Sequence, residues 1–269
     1  MKTSSIIKLT FLLLVSIPFS TNAQDIVIIH TNDLHSQIEP FRSGRNAGSA
    51  GILSLSGYIE ESRKAHPDLL FLDAGDYNQG TPYFNLFGGT VEVETMNALG
   101  LDATVLGNHE FDNGLENLVE RIEKADYQTL CANYQILYRP LRRLVKPYTI
   151  FRVNGKKVGV IGLTIDLNGL TSNEVLEKMI YLDPVTTANR LAARLKRKGC
   201  DLIICLTHQG FKNDLELAAQ SRNIHLIIGG HSHTFLEEPV KQTDADGNQV
   251  VVVQTGAYAV YAGHIDITF

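Results

Sequence analysis

Apolar residues along this chain gather in short β-branched runs separated by stretches of helical spacing. Asp25 to Ile29, Leu69 to Leu72, Thr104 to Leu106, Leu202 to Leu206 and Leu226 to Ile228 have the length of buried strands. Between them, Ile52, Leu55 and Ile59 fall at i, i+3 and i+7, and Leu115, Leu118 and Ile122 repeat the pattern, so each set predicts an amphipathic helix. Asp183-Pro184 predicts the start of a third, carrying Ala188, Leu191 and Leu195 and stopped by Gly199. Thr90 is placed to cap a helix through Leu99, closed by Gly100. Tyr148 to Val153 and Lys157 to Leu163 flank Asn154-Gly155, the signal of a type I′ hairpin. Val250 to Gln254 and His264 to Phe269 come after an Asp246-Gly247 turn as closing strands. The class is α/β.

Composition changes this picture little; the first residues change it more. Lys2 and Lys8, an apolar run from Ile6 to Pro18 and small or polar Ser20 to Ala23 make residues 1–23 a secretory signal peptide, leaving 24–269 as one domain. A periplasmic or secreted protein is expected. The run is shorter than the ~20 residues of a spanning helix, and with no cysteine near the cleavage point a membrane anchor is not expected. Losing Lys2 and Lys8 takes the formal charge from −5 to −7, which argues against the clustered positive surface that a nucleic-acid polymer requires. The cysteines, Cys131, Cys200 and Cys205, read as buried thiols, with a Cys131–Cys200 bridge as the other possibility. The polar loop Ser36 to Gly51, with Arg42 and Arg45, reads as a mobile surface loop.

The chemistry is carried where each strand-like run ends. The five endings are Asp33-Leu34-His35, Asp73-Ala74-Gly75-Asp76, Gly107-Asn108-His109-Glu110-Phe111-Asp112, His208, and Gly230-His231-Ser232-His233. Singly, each is an ordinary polar turn. In extended backbone Asp33 and His35 share one side and can grip one ion. Asp76 can bridge two ions through its two oxygens, while Asp73 is placed to accept hydrogen bonds that orient the ligands. Asn108 offers an amide oxygen, His109 can hold or donate a proton, and Asp112 can fix its tautomer. Open α/β sheets collect ligands at the carboxyl ends of their strands, and five such endings in one chain point to one metal site. His30, His66, His225 and His264 fall outside the pattern and read as packed or surface histidines.

These motifs, with Gln79-Gly80-Thr81-Pro82, resemble the calcineurin-like metallophosphoesterases, and more closely the N-terminal catalytic domain of bacterial 5′-nucleotidases. The resemblance implies a four-layer sandwich, with two packed mixed sheets flanked by helices. It implies two divalent ions (Zn, Mn, Co, Ni or Fe), one held by Asp33, His35, Asp76 and His233, the other by Asp76, Asn108, His208 and His231. His233 stands where some nucleotidases carry Gln or Asn. His109, paired with Asp112, is expected to stabilise the transferring phosphoryl group and protonate the leaving oxygen. The expected reaction is hydrolysis of 5′-nucleotides. The alternatives are 2′,3′-cyclic nucleotides, nucleotide-sugar diphosphates, or an inactive metal-binding docking subunit. A nucleotidase C-terminal domain does not follow in this sequence, so base recognition is expected from a separately encoded nucleotide-binding domain, from local loops, or not at all.

Overall fold

The computed structural model describes residues 26–48 and 51–269; the leader assigned to residues 1–23 and the first residue of the first run, Asp25, lie outside the described residues. The first half of the chain builds β1 (Ile26–Thr31), α1 (Ile52–Ala65), β2 (Leu70–Asp73), α2 (Pro82–Phe87), α3 (Thr90–Ala98), β3 (Ala103–Val105), α4 (Gly114–Glu123) and β4 (Gln128–Leu130). The second half builds β5 (Tyr134–Ile136), α5 (Arg139–Leu144), β6 (Tyr148–Val153), β7 (Lys156–Thr164), α6 (Asn173–Leu176), β8 (Met179–Tyr181) and α7 (Pro184–Arg197). It closes with β9 (Leu202–His208), α8 (Phe211–Gln220), β10 (Leu226–Ile228), β11 (Val240–Thr243), β12 (Gln249–Val253) and β13 (Gly263–Ile267).

Two large mixed sheets result. In one the order is β13-β1-β2-β3-β4, with β1 to β4 parallel and β13 antiparallel against β1. In the other it is β11-β12-β10-β9-β7-β6, parallel through the centre with antiparallel edges. The period-2 alternation of strands assigns their two faces. Ile26, Ile28, Leu70 and Leu72 point toward Val158, Val160, Ile204 and Leu206 of the opposite sheet. Val27, Ile29 and Phe71 instead meet Ile52, Leu55, Ile59 and Met96 of α1 and α3. On the far side Ile203, Cys205 and Ile227 meet Ala188, Leu191 and Leu195 of α7 and Leu217 of α8. The order helix, sheet, sheet, helix is the four-layer sandwich expected. Where β4 and β7 approach, a Cβ on Gly162 would collide with Leu130 Cβ and stand 2.8 Å from its carbonyl carbon, so only glycine fits.

Local signals hold where a short-range interaction decides them. The Asp183 carboxylate accepts from Thr186 N at 2.7 Å and caps α7, and Asn154 (φ 48°) and Gly155 (φ 79°) form the hairpin turn between β6 and β7. Thr90 does not cap: it is the first residue of α3, preceded by left-handed Gly89 (φ 88°), because the tight Gly88-Gly89 turn already delivers the chain into the helix. Among the described residues no disulfide forms, and all three cysteines are free and buried. The loop after β1 is tied down at its start, since buried Ser36 donates to Glu92 and buried Ile38 packs against α1. Residues 39–48 are largely exposed, and Arg42 pairs with Glu39 at 2.8 Å. His30 is buried, and His225 accepts from Ile203 N at 3.0 Å. His264 bonds Tyr58 at 2.7 Å, with His66 against its ring. No helix among the described residues is long and apolar enough to cross a membrane.

Candidate metal centre

The carboxyl ends of β1, β2 and β3 meet those of β9 and β10 through direct bonds. The backbone of Asp33 donates to Gly75 O at 2.9 Å, and that of Ala74 to Thr31 O at 2.8 Å. The His231 N–H reaches both oxygens of Asp33, at 3.1 and 3.0 Å, which joins the two sheets. Gly75 (φ 87°) makes the turn after β2 possible, because a Cβ there would lie 2.8 Å from Val105 O and 3.0 Å from His208 Nδ1.

All seven candidate ligands come together, in three overlapping groups. Asp33, His35 and His233 form one, His35, Asp76 and His109 a second, and Asp76, His208 and His231 a third; within each, one donor atom per residue lies within 4.8 Å of the others. Asn108 joins the third group through its Oδ1, 2.9 Å from His231 Nδ1. His35 Nε2 stands 2.8 Å from His233 Nε2, and His233 Nε2 stands 3.4 Å from Asp33 Oδ1. One expected detail differs. Asp33 and His35 are not extended but left-handed, at φ 51° and 47°, because Leu34 between them turns into the core, fully buried. Asp76, His231 and His233 also have positive φ, an unfavourable conformation for side-chain-bearing residues that clusters at functional sites.

The donor set fits a bound cation. His208 Nδ1 lies 2.7 Å from the carbonyl of Ala74, so it carries the proton and leaves the Nε2 lone pair aimed at Asp76 Oδ2, 2.9 Å away. That Nε2 is buried without a hydrogen-bond partner among the described residues. Two lone pairs at this distance require a positive charge between or beside them. Burial works against charging His208, yet Asp76, with Asp33 and Glu110 behind it, pushes its pKa up to about 10. Burial likewise would raise the Asp76 carboxyl, but His208 and then His109 outweigh it and hold it well below the carboxylate range. Burial keeps His35 and His231 in their neutral, metal-binding form. A cation can replace the proton that the cluster otherwise retains.

His109 and Asp112 sit at the accessible rim, their side chains about a third exposed. His109 Nδ1 bonds Asp112 Oδ2 at 2.8 Å, and this bond, ahead of the burial that opposes it, raises the pKa of His109. Its backbone N–H also holds Asp76 Oδ1 at 2.9 Å. Asp73 stays off the cluster and accepts from Thr31 Oγ1 (2.7 Å), Gly75 N (3.0 Å) and Thr104 Oγ1 (3.2 Å); burial pushes its carboxyl up to about 8.

Two supports escaped the sequence reading. Glu110, fully buried, accepts from Gly107 N (2.6 Å), Asp76 N (3.0 Å) and Asn78 Nδ2 (3.0 Å), so it braces the backbone of two ligand loops. Asn32 links Asp33 Oδ2 to Gly256 O, each at 2.6 Å. Glu110 lies inside the quoted motif, and a carboxylate three residues after a glycine that ends a strand was the available signal.

Fold and cluster together define the class, an α/β-sandwich protein of metallophosphatase type. The model of the calcineurin-like phosphoesterases matches residues 26–235, and the chain belongs to that family. It is 35% identical to the 5′-nucleotidase of Bos taurus over 91% of this chain and 46% of that protein. The crystal structure of a 5′-nucleotidase precursor from Thermus thermophilus superposes with a TM-score of 0.84 at 32% identity, covering 91% of this chain and 51% of that one. The structure of an NAD nucleotidase from Haemophilus influenzae gives 0.82 at 30%, covering 92% and 48%. The chain thus spans about half the length of these relatives.

Proposed function

We propose that this protein is a periplasmic or secreted metal-dependent phosphoesterase, with 24–269 as its catalytic unit, that hydrolyses 5′-nucleotides to nucleoside and phosphate. The observation that carries the reading is the position of Asp76, grouped with His208 and His231 on one side and with His35, itself grouped with Asp33 and His233, on the other, as expected for a carboxylate bridging a pair of ions. Asp33, His35, Asp76 and His233 would hold one divalent ion, and Asp76, Asn108, His208 and His231 the other. Nitrogen and oxygen donors without thiolate suit Zn, Mn, Co, Ni or Fe. Such a pair supplies polarisation of the phosphoryl oxygens and a water that ionises near neutral pH.

The chain's own residues do the rest. The carbonyl of Ala74 fixes the His208 tautomer, and the Asp33 carboxylate is oriented by the His231 N–H. Asp112 holds the Nδ1 proton of His109, so its Nε2 is the working nitrogen, and the raised pKa favours the imidazolium that gives a proton to the leaving oxygen. The 5′-nucleotidase relatives support a nucleotide substrate. A second reading, cleavage of a nucleotide diphosphate ester, is supported by the NAD nucleotidase neighbour.

Phosphate release from 5′-AMP and an aryl phosphate, and chromatographic detection of UMP from UDP-glucose and of adenosine monophosphate from 2′,3′-cyclic AMP, each with and without Mn²⁺, separate these substrates. Turnover of none of them, with metal bound, refutes the enzymatic reading and leaves a docking subunit. His109→Ala is expected to keep its metal and lose roughly 10²–10⁴-fold in kcat. Asp76→Asn is expected to bind less than the full metal complement; two ions per chain in that variant would contradict the bridge.

A further inference from the structure

The turn between β12 and β13 carries two consecutive residues in the left-handed region, Tyr258 at φ 63° and Ala259 at φ 51°. Both bear a Cβ, so the conformation is unfavourable and persists only because its surroundings fix it. They fix it from two ligand loops. Tyr258 N donates to Asp33 O at 2.8 Å, and Gly51 N donates to Tyr258 O at 3.0 Å. Two residues earlier, Gly256 O accepts from Asn32 Nδ2 at 2.6 Å, and Gly256 N donates at 3.0 Å to the carbonyl of Thr234, the residue after His233. The turn is therefore pinned to the loop of Asp33 and His35 on one side and to that of His233 on the other.

What this strained turn delivers is one aromatic ring. Tyr258 is half-buried, its ring centroid 5.5 Å from that of His35 at an interplanar angle of 46°, and 5.9 Å from that of His233 at 77°. Phe41 meets the same ring edge-on at 5.8 Å. The two imidazoles stand Nε2 to Nε2 at 2.8 Å, an approach that requires a cation or a proton between them. His233 most needs a wall, because its side chain is 40% exposed, against 8% for His35 and 0% for His208. An imidazole that open has other rotamers within reach, and each one it visits takes its lone pair away from the ion. His208 is held instead by the Ala74 carbonyl, and among the described residues Tyr258 has no ring contact with it or with His231.

On the two-ion assignment proposed above, we infer that Tyr258 is a positioning residue for one ion only, that of Asp33, His35, Asp76 and His233, its ring restricting both imidazoles before the ion arrives. Ligands already held in place lose less freedom on binding, so the ring acts through metal affinity. The contacts are those of the ring, so a phenyl group serves as well as a phenol. The strain at Tyr258 and Ala259 is what holds the ring against the two ligands.

Calorimetric titration of the chelated full chain with Mn²⁺ reads the two binding events, and His233→Ala, which removes a ligand, marks the event that belongs to this ion. Tyr258→Ala is expected to weaken that event roughly tenfold, the scale of loss when a group supporting a metal ligand is removed, and to leave the other within about twofold. Tyr258→Phe is expected to match the parent. Tyr258→Leu, which keeps apolar bulk without a rigid ring, is expected to fall several-fold short on the same event. Electron paramagnetic resonance gives a second readout: at two Mn²⁺ per chain, the spin-coupled signal of the parent is expected to diminish in Tyr258→Ala. Equal weakening of both events would mark a general loosening of the fold and overturn the inference. So would unchanged affinities in the alanine and leucine variants, or a phenylalanine variant as weak as alanine. A parent that takes up a single ion would refute the two-ion assignment itself, and the positioning role with it.

Discussion

Replacing Glu110 by alanine removes the acceptor for three donors, Gly107 N at 2.6 Å, Asp76 N at 3.0 Å and Asn78 Nδ2 at 3.0 Å, in a position with no solvent exposure. Each stranded donor costs about 1–3 kcal/mol, and water entering the vacated space recovers part of that, so a net loss of roughly 3–5 kcal/mol is expected. Set against a domain stability of about 5–15 kcal/mol, the variant remains folded but markedly weakened. Glu110→Gln separates charge from hydrogen bonding. One amide oxygen can still take the two backbone N–H groups, while its NH₂ turns against Asn78, for a cost of about 1–2 kcal/mol. Urea unfolding of the chelated protein, followed by far-UV circular dichroism, measures both. Glu110→Ala should also bind metal more weakly than the parent, since the backbone of Asp76 has lost its brace, whereas Glu110→Gln, which keeps that contact, should bind it nearly as well. A Glu110→Ala protein within about 1 kcal/mol of the parent would refute the assignment of Glu110 as the support of this loop pair.

Other parts of the molecule yield three further outcomes. His30 has its pKa lowered from 6.5 to about 4 by burial, so the unfolded chain binds more protons and stability is lost as pH falls from about 6.5 toward 4. Between pH 7 and pH 5 this amounts to about 2 kcal/mol, which His30→Leu should remove when denaturation of the chelated proteins is compared at the two pH values. Gly162→Ala is expected to cost about 1–3 kcal/mol or more, because the new methyl meets Leu130 Cβ and backbone rather than a movable side chain; an unshifted urea midpoint would show that the sheets can part there. Asp183→Ala removes the cap of α7 and is expected to cost about 1 kcal/mol with no change in metal content, read by thermal denaturation beside metal analysis.

The strands were legible because their burial is two-sided, which leaves continuous apolar runs such as Leu202 to Leu206 and Leu226 to Ile228. The Asp183 cap and the Asn154-Gly155 turn were legible because each is decided within four residues. The gathering of Asp33, His35, Asp76, Asn108, His208, His231 and His233 was legible as five strand endings of one kind. Their backbone conformations were not, since the left-handed turn at Asp33 and His35 follows from Leu34 finding the core, a contact made by the assembled fold. Thr90 failed as a cap because two glycines before it set the entry into α3. Glu110 was hidden for a related reason: its partners Asp76 and Asn78 lie more than 30 residues away, and a glutamate in a loop reads as solvated until those donors are placed around it.

The antiparallel pairing of Ile26–Thr31 with Gly263–Ile267 sets a schedule for synthesis. At about 5–20 residues per second, the first strand leaves the ribosome roughly 10–50 seconds before the segment that covers its outer edge exists. During that interval a row of unpaired amides on a β-branched, largely apolar stretch stands open to other nascent chains, the arrangement that invites edge-to-edge aggregation. Holding that edge until Gly263–Ile267 arrives is therefore a task for a chaperone, and overproduction without one should yield inclusion bodies before it yields folded protein.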